Sequence, residues 1–218
     1  MTNLNKRIFT SLIVFPVSMF FIIKGGNYIV SFLYAILILA NFEAFSAFKR
    51  KTSIIFLDSI LVVSLLSILH LRNDTTSSLI LLLWVIILTI SSDIGGYIFG
   101  KIFKWKNFTN ISPNKTLSGV IGSLIFSIFS ILLLGLICKI LFQMDLSFFL
   151  KFKYFIFAVI LSLSAQLGDL MVSYFKRLDK IKDTGKILPG HGGIFDRIDS
   201  LMFSTIVANI LYYLKLFP

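Results

Sequence analysis

The chain has 218 residues, 57% apolar and 14% charged, with a mean hydropathy of +0.93. Those values exclude a soluble globular domain and define an integral membrane protein. Cys138 is the only cysteine, which excludes a disulfide framework and a cysteine metal site and leaves it as a lipid- or core-facing filler.

A helix needs about 20 mostly apolar residues to cross a hydrocarbon layer. Seven segments meet that requirement, at about 7–24, 28–48, 54–71, 78–100, 117–142, 152–172 and 200–217, and predict an all-α, polytopic membrane bundle forming one domain over 1–218. The first begins with Lys6 and Arg7 but is followed by no small-residue cleavage site, so it reads as a retained span. The second and third carry Glu43 and Asp58; the fourth and sixth carry Asp93 and Asp169. Acids at such depth are rare enough to be functional candidates. Small residues surround two of them, in Ser91-Ser92-Asp93-Ile94-Gly95-Gly96 and Ala165-Gln166-Leu167-Gly168-Asp169. The glycines let helix backbones approach closely in lipid, and they also leave room for a phosphate or a metal. His70, at the end of the third span, reads as an interfacial side chain.

With the N-terminus in the cytoplasm, 15 of the 21 basic residues fall on the cytoplasmic side. The positive-inside rule therefore places both long polar loops, 101–116 and 173–199, on that face. The same rule accounts for the net charge of +11, and no nucleic-acid partner is needed to explain it.

The segment 173–199 holds six basic and four acidic residues in a chain that is otherwise mostly apolar. If span six continues helically into it, Asp169, Ser173 and Lys176 are spaced i, i+4, i+7 and share one face. Pro189-Gly190-His191-Gly192-Gly193 then breaks the helix. Asp196, Asp199 and Ser200 follow near the start of span seven, where backbone N–H groups and the helix dipole favour anions, either carboxylates or phosphate oxygens. Acids beside a glycine-rich turn and a ring of Lys and Arg are what a metal–nucleotide site requires. Lys180, Lys182 and Lys186 each also read as solvated loop charges, with Asp179 and Asp183 pairing with them at the surface.

The pattern Ser173-x-Phe175-Lys176-Arg177, Lys182-Asp183, then His191-Gly192-Gly193-Ile194-x-Asp196-Arg197-Ile198-Asp199 resembles the signature of the phosphatidate cytidylyltransferases. A second block, Asp93-Ile94-Gly95-Gly96-Tyr97, Phe99-Gly100-Lys101 and Ile111-Ser112-Pro113-Asn114-Lys115-Thr116-Leu117-Ser118-Gly119, is similar to an upstream block of the same enzymes. Ser118 stands where that family usually has Glu, and Ile94 where Ser or Thr is common, so no role is carried over to Ser118. The chain is also short for the family, and the additional spans of longer members are expected N-terminal to both blocks.

The resemblance implies transfer of a cytidylyl group from CTP to phosphatidate, giving CDP-diacylglycerol and pyrophosphate. It implies Mg2+, with room for a second cation such as K+, held by Asp169 and Asp196, and it places Lys176 beside them as a catalytic residue. Substrate phosphates would meet Ser173, Arg177, Lys182, His191, Gly192, Gly193 and Arg197. Asp93, Ser112, Lys115 and Thr116 would shape the nucleotide or lipid-phosphate pocket. His191 would donate a hydrogen bond to phosphate or shape the turn. The implied setting is a bacterial cytoplasmic membrane among membrane lipids, with the site facing the cytoplasm and a homodimer compatible with the sequence. Two other readings use the same residues: another CTP-dependent membrane lipid enzyme, such as a lipid-alcohol kinase or an ether-lipid cytidylyltransferase, and an ion-coupled transporter. The acid pattern of the head-group transferases that consume CDP-diacylglycerol is absent.

Overall fold

The computed structural model describes residues 3–109, 112, 115–143, 145, 151–190 and 192–216. They form seven helices: α1 (Asn3–Lys24), α2 (Gly26–Ala47), α3 (Lys51–Leu71), α4 (Thr76–Phe103), α5 (Leu117–Phe142), α6 (Phe152–Leu178) and α7 (Phe195–Tyr213). No strand occurs among the described residues, which contain only the isolated bridges Asn107–Thr116 and Leu188–Gly192. Five helices, α2 to α6, have the length and hydropathy to cross a membrane. The apolar part of α1 is the shorter stretch Phe9–Lys24, and α7 opens with three charged residues, Asp196, Arg197 and Asp199.

Local chemistry sets several boundaries. Thr75 and Thr116 cap α4 and α5, their hydroxyls accepting from Ser78 N–H at 3.2 Å and Gly119 N–H at 3.1 Å, which satisfies donors that a helix start leaves open. Between α1 and α2 the chain reverses at Gly25 and Gly26, both at positive φ, a region in which glycine meets no Cβ penalty. The sixth helix runs six residues beyond the span expected from hydropathy, as far as Leu178. It thereby carries Ser173 and Lys176 in register with Asp169.

Turns between α1 and α2, α2 and α3, and α3 and α4 are short, so successive helices alternate in direction. The starts of α1, α3, α5 and α7 and the ends of α2, α4 and α6 consequently share one end of the bundle. Long-range bonds bear this out. Arg7 Nε and Thr10 Oγ1 donate to Gly190 O and Pro189 O, each at 2.8 Å.

Helix packing relies on small residues. A Cβ on Gly95 would collide with Gly122 O and Phe126, and one on Gly122 with Gly95 O and Phe99, so α4 and α5 meet backbone to backbone. A Cβ on Gly168 would stand 2.5 Å from Asp199 O, and that seam brings α6 against the start of α7. Hydroxyl pairs join the helices deeper in the bundle: Ser92–Ser162 at 2.8 Å, Thr89–Ser204 at 2.9 Å and Ser64–Thr205 at 3.0 Å. Cys138 is buried with Trp84, Leu88, Leu134 and Phe157, so it faces the core. His70 contacts Asn209 Oδ1 and packs edge-on against Tyr212, polar company that its sequence neighbours do not reveal.

Candidate active site

At the shared end of the bundle, two Lys–Asp pairs stand side by side. Lys115 Nζ, just before α5, lies 2.7 Å from Asp169 Oδ2 on α6, and Lys176 Nζ lies 2.8 Å from Asp196 Oδ1 on α7. The first pair is partly open, its side chains 23% and 33% exposed, whereas the second is nearly closed at 11% and 6%. That difference suits the first to meet a ligand and the second to hold the framework.

The helical ladder expected along α6 is present in part. Ser173 Oγ reaches Asp169 Oδ1 at 3.4 Å, but Lys176 turns to Asp196 across the bundle. Asp196 is fully engaged: Oδ1 takes Lys176, while Oδ2 accepts the N–H groups of Thr184 at 2.9 Å and Gly193 at 3.0 Å. Asp199 stands within electrostatic reach of Asp169, Asp93 and Lys176. Asp93 in turn lies within reach of Asp169, Lys115 and Arg197 and accepts a hydrogen bond from Ser200 Oγ at 3.1 Å. The acid that shares a field with Asp169 and Asp93 is therefore Asp199, one helical turn beyond Asp196.

The remaining expected residues divide by environment. Arg197 is exposed beside Asp93, Lys182 is exposed in the loop, and exposed Arg177 donates to Ile181 O at 3.2 Å. Thr116 caps α5 and shares a hydrogen bond with Ser118 Oγ at 2.9 Å. Ser112 O accepts from Lys115 N–H at 3.0 Å, which fixes the approach to the first pair. Gly192, at φ +90°, makes the turn before α7, and Gly193 feeds its N–H to Asp196. His191 lies outside the described residues.

Two acids to which the sequence assigned no role in the site organise this end. Glu43 of α2, 1% exposed, accepts Ile194 N–H at 2.7 Å and Phe195 N–H at 3.3 Å, and the Thr184 hydroxyl also donates to it. Of the two kinds of anion expected at the donors that open α7, carboxylate or phosphate oxygen, it is this carboxylate that takes them. Asp179 is not a surface partner of Lys180 or Lys182: its side chain is 1% exposed and accepts Arg50 N–H at 3.1 Å. The extension of α6 carries Asp179 inward against the start of α3. Asp58 on α3 is half-buried with Oδ1 lacking a hydrogen-bond partner, and none of the bonds above runs to it.

The donor chemistry fits a hard cation. Carboxylate oxygens of Asp93, Asp169 and Asp199 and the hydroxyls of Ser173 and Ser200 gather here. Among the described residues no three acidic, histidine or cysteine side chains form a closed metal cage. Mg2+ does not demand one, since it is commonly held by one or two carboxylates together with water and substrate phosphates. At the opposite end, a cavity of about 590 Å3 is lined by Lys24, Gly25, Arg72 and Asp74. It is structural, because Arg72 donates to Ile22 O, Ile23 O and Asn73 O and so caps the end of α1.

Residues 49–215 match the model of a cytidylyltransferase family. The chain is 43% identical over 136 residues to a Staphylococcus haemolyticus phosphatidate cytidylyltransferase, covering 60% of this chain and 48% of the relative. It is 41% identical over 144 residues to one from Staphylococcus saprophyticus, covering 66% and 53%. A Helicobacter pylori protein of the same name is 38% identical over 138 residues, covering 62% and 48%. The chain thus spans about half the length of the curated relatives it matches. The matched stretch includes Asp93, Lys115, Asp169, Lys176, Asp196 and Asp199, the residues that converge in the two charge pairs and around them, and the chain belongs to the cytidylyltransferase family.

Proposed function

We propose that this protein transfers the cytidylyl group of CTP to phosphatidate, releasing pyrophosphate and forming CDP-diacylglycerol. The observation that carries the reading is the convergence of Lys115–Asp169 and Lys176–Asp196 from α5, α6 and α7, within the stretch matched by the cytidylyltransferase family. The positive-inside asymmetry supports a cytoplasmic orientation for this end, in the bacterial inner membrane.

A phosphate oxygen of phosphatidate attacks the α-phosphorus of CTP as the bond to the β-phosphate oxygen breaks, and pyrophosphate leaves with that bond's electron pair. Phosphomonoesters have a second pKa near 6, so at neutral pH the nucleophile is largely dianionic and needs no general base. The protein's task is to align the reacting groups and neutralise charge. Lys115, one-quarter exposed beside Asp169, would take a phosphate oxygen as a point charge. Exposed Arg197 offers a planar fork to a second one. Lys176, already neutralised by Asp196, fixes the geometry between α6 and α7. Mg2+ would be held by Asp169 with Asp199, its nearer electrostatic partner, while Asp196, whose oxygens already accept from Lys176, Thr184 and Gly193, would fix the frame around them; the ion would supply neutralisation of charge on the phosphates. A second cation such as K+ has the Asp93–Ser200 region available.

The test is to incubate purified protein with labelled CTP, phosphatidate and Mg2+ and separate the lipids. A labelled liponucleotide that disappears with EDTA and returns with Mg2+ is expected. Its absence with folded protein would reject the reading.

A further inference from the structure

We infer that Glu43 is a positioning residue for this reaction, a clamp on α2 that holds the 184–195 segment so that Asp196 presents correctly to Lys176. The inference rests on the proposed cytidylyl transfer, but its structural half can be tested without turnover.

Glu43 lies ahead of the stretch matched by the family and is 1% exposed on a helix apolar enough to span a membrane. A carboxylate there is costly unless its oxygens are compensated. Three donors compensate it: the Thr184 hydroxyl and the N–H groups of Ile194 and Phe195. The start of α7 has no local alternative, because its cap residue Ile194 makes no side-chain capping bond. Glu43 supplies that cap from α2, 151 residues away along the chain from Ile194, and its charge suits the positive end of the helix dipole.

The connection to the site is direct. Thr184 gives its hydroxyl to Glu43 and its N–H to Asp196. Gly193 gives its N–H to Asp196, and the next two residues give theirs to Glu43. Two carboxylates thus divide the donors of one segment between them, so withdrawal of the segment from Glu43 removes donors from Asp196 as well. Gly185 and Gly193 complete the fit, since a Cβ at either position would collide with the Glu43 carboxylate. The three groups that bond to Glu43 are all acting as donors, so an amide replacement turns its own NH2 against one of them.

The experiment compares wild type with Glu43→Gln at matched folded protein, measuring kcat, the KM for CTP and amide hydrogen exchange at Ile194 and Phe195. In the variant kcat is expected to fall about 10- to 100-fold while KM moves less than about threefold, with faster exchange at both amides. Wild-type kcat, or unchanged exchange at these amides, would overturn the inference. An inactive wild type would count against the proposed reaction alone, and the exchange comparison would still decide the clamp. If Glu43→Gln does not fold, Thr184→Val and Thr184→Ser decide. Val should lower kcat several-fold and Ser should remain within about twofold of wild type; wild-type turnover in Val, or equal losses in both, overturns the inference.

Discussion

Lys115 Nζ meets Asp169 Oδ2 at 2.7 Å although 54 residues separate them, and Lys115 also donates to Gln166 O at 3.3 Å. This lysine therefore grips α6 through both a side chain and a backbone carbonyl, in the more open of the two charge pairs. In the proposed reaction, substrate phosphate and Asp169 would compete for the same ammonium. Lys115→Met should lower kcat/KM by more than about tenfold while the protein remains folded, because the pair is partly exposed and contributes about 0–1 kcal/mol to stability. Steady-state kinetics with CTP varied, beside a melting curve in detergent, checks both halves.

Asp169→Asn and Asp196→Asn should both abolish liponucleotide formation, but they should differ in stability. Asp169 is one-third exposed, with Lys115 at 2.7 Å and the Ser173 hydroxyl at a long 3.4 Å, so its amide variant should melt close to wild type. Asp196 is 6% exposed and accepts from three groups. Its amide variant leaves the buried Lys176 without the carboxylate it bonds to, a loss of about 3–5 kcal/mol. Equal melting temperatures for the two variants would contradict this division between an exposed and a buried pair.

Asp179 offers a control outside the site. One of its oxygens accepts Arg50 N–H, while Oδ2 is buried without a hydrogen-bond partner, and the carboxylate sits at the C-cap of α6, where negative charge is unfavourable. Asp179→Asn keeps an acceptor and removes both the unfavourable charge at the helix end and the long ion pair with Arg50 Nε at 3.9 Å. With Arg50 exposed, that pair contributes about 0–1 kcal/mol, so stability should hold to within about 1 kcal/mol. Asp179→Ala strands the Arg50 N–H and should cost about 1–3 kcal/mol. Thermal unfolding of the two variants makes the comparison; a larger loss in Asn than in Ala would refute it.

Orientation can be read by labelling. In a Cys138→Ser background, single cysteines at Lys106 and Lys182, both exposed, should react with an impermeant maleimide only when the cytoplasmic face is open. Modification of intact cells at either position would reverse the proposed topology.

The sequence made the helices legible because long apolar runs separated by charged turns leave little choice, and each expected span lies within or overlaps one of α1 to α7. The ends were harder to read. Hydropathy stops α6 at 172, whereas intrahelical bonding carries it to Leu178, and this extension buries Asp179. The charged residues of the site were visible as types at suggestive spacings, but their pairing was not. Lys176 bonds to Asp196 rather than continuing the ladder of its own helix, a choice made by how α6 meets α7 at Gly168. Glu43 was visible as an acid inside an apolar helix; that it answers donors from residues 184–195 depends on contacts across most of the chain.

The bonds from Arg7 to Gly190 and from Thr10 to Pro189 bridge 183 and 179 residues, and they set an order in time. Synthesis delivers α1 first, yet its partners in the glycine turn leave the ribosome only when most of the chain has already been made. A nascent chain halted before residue 184 can possess six of the helices and still lack the groups that close this end. Closure of this end is therefore a late event, completed when the turn before α7 returns to α1.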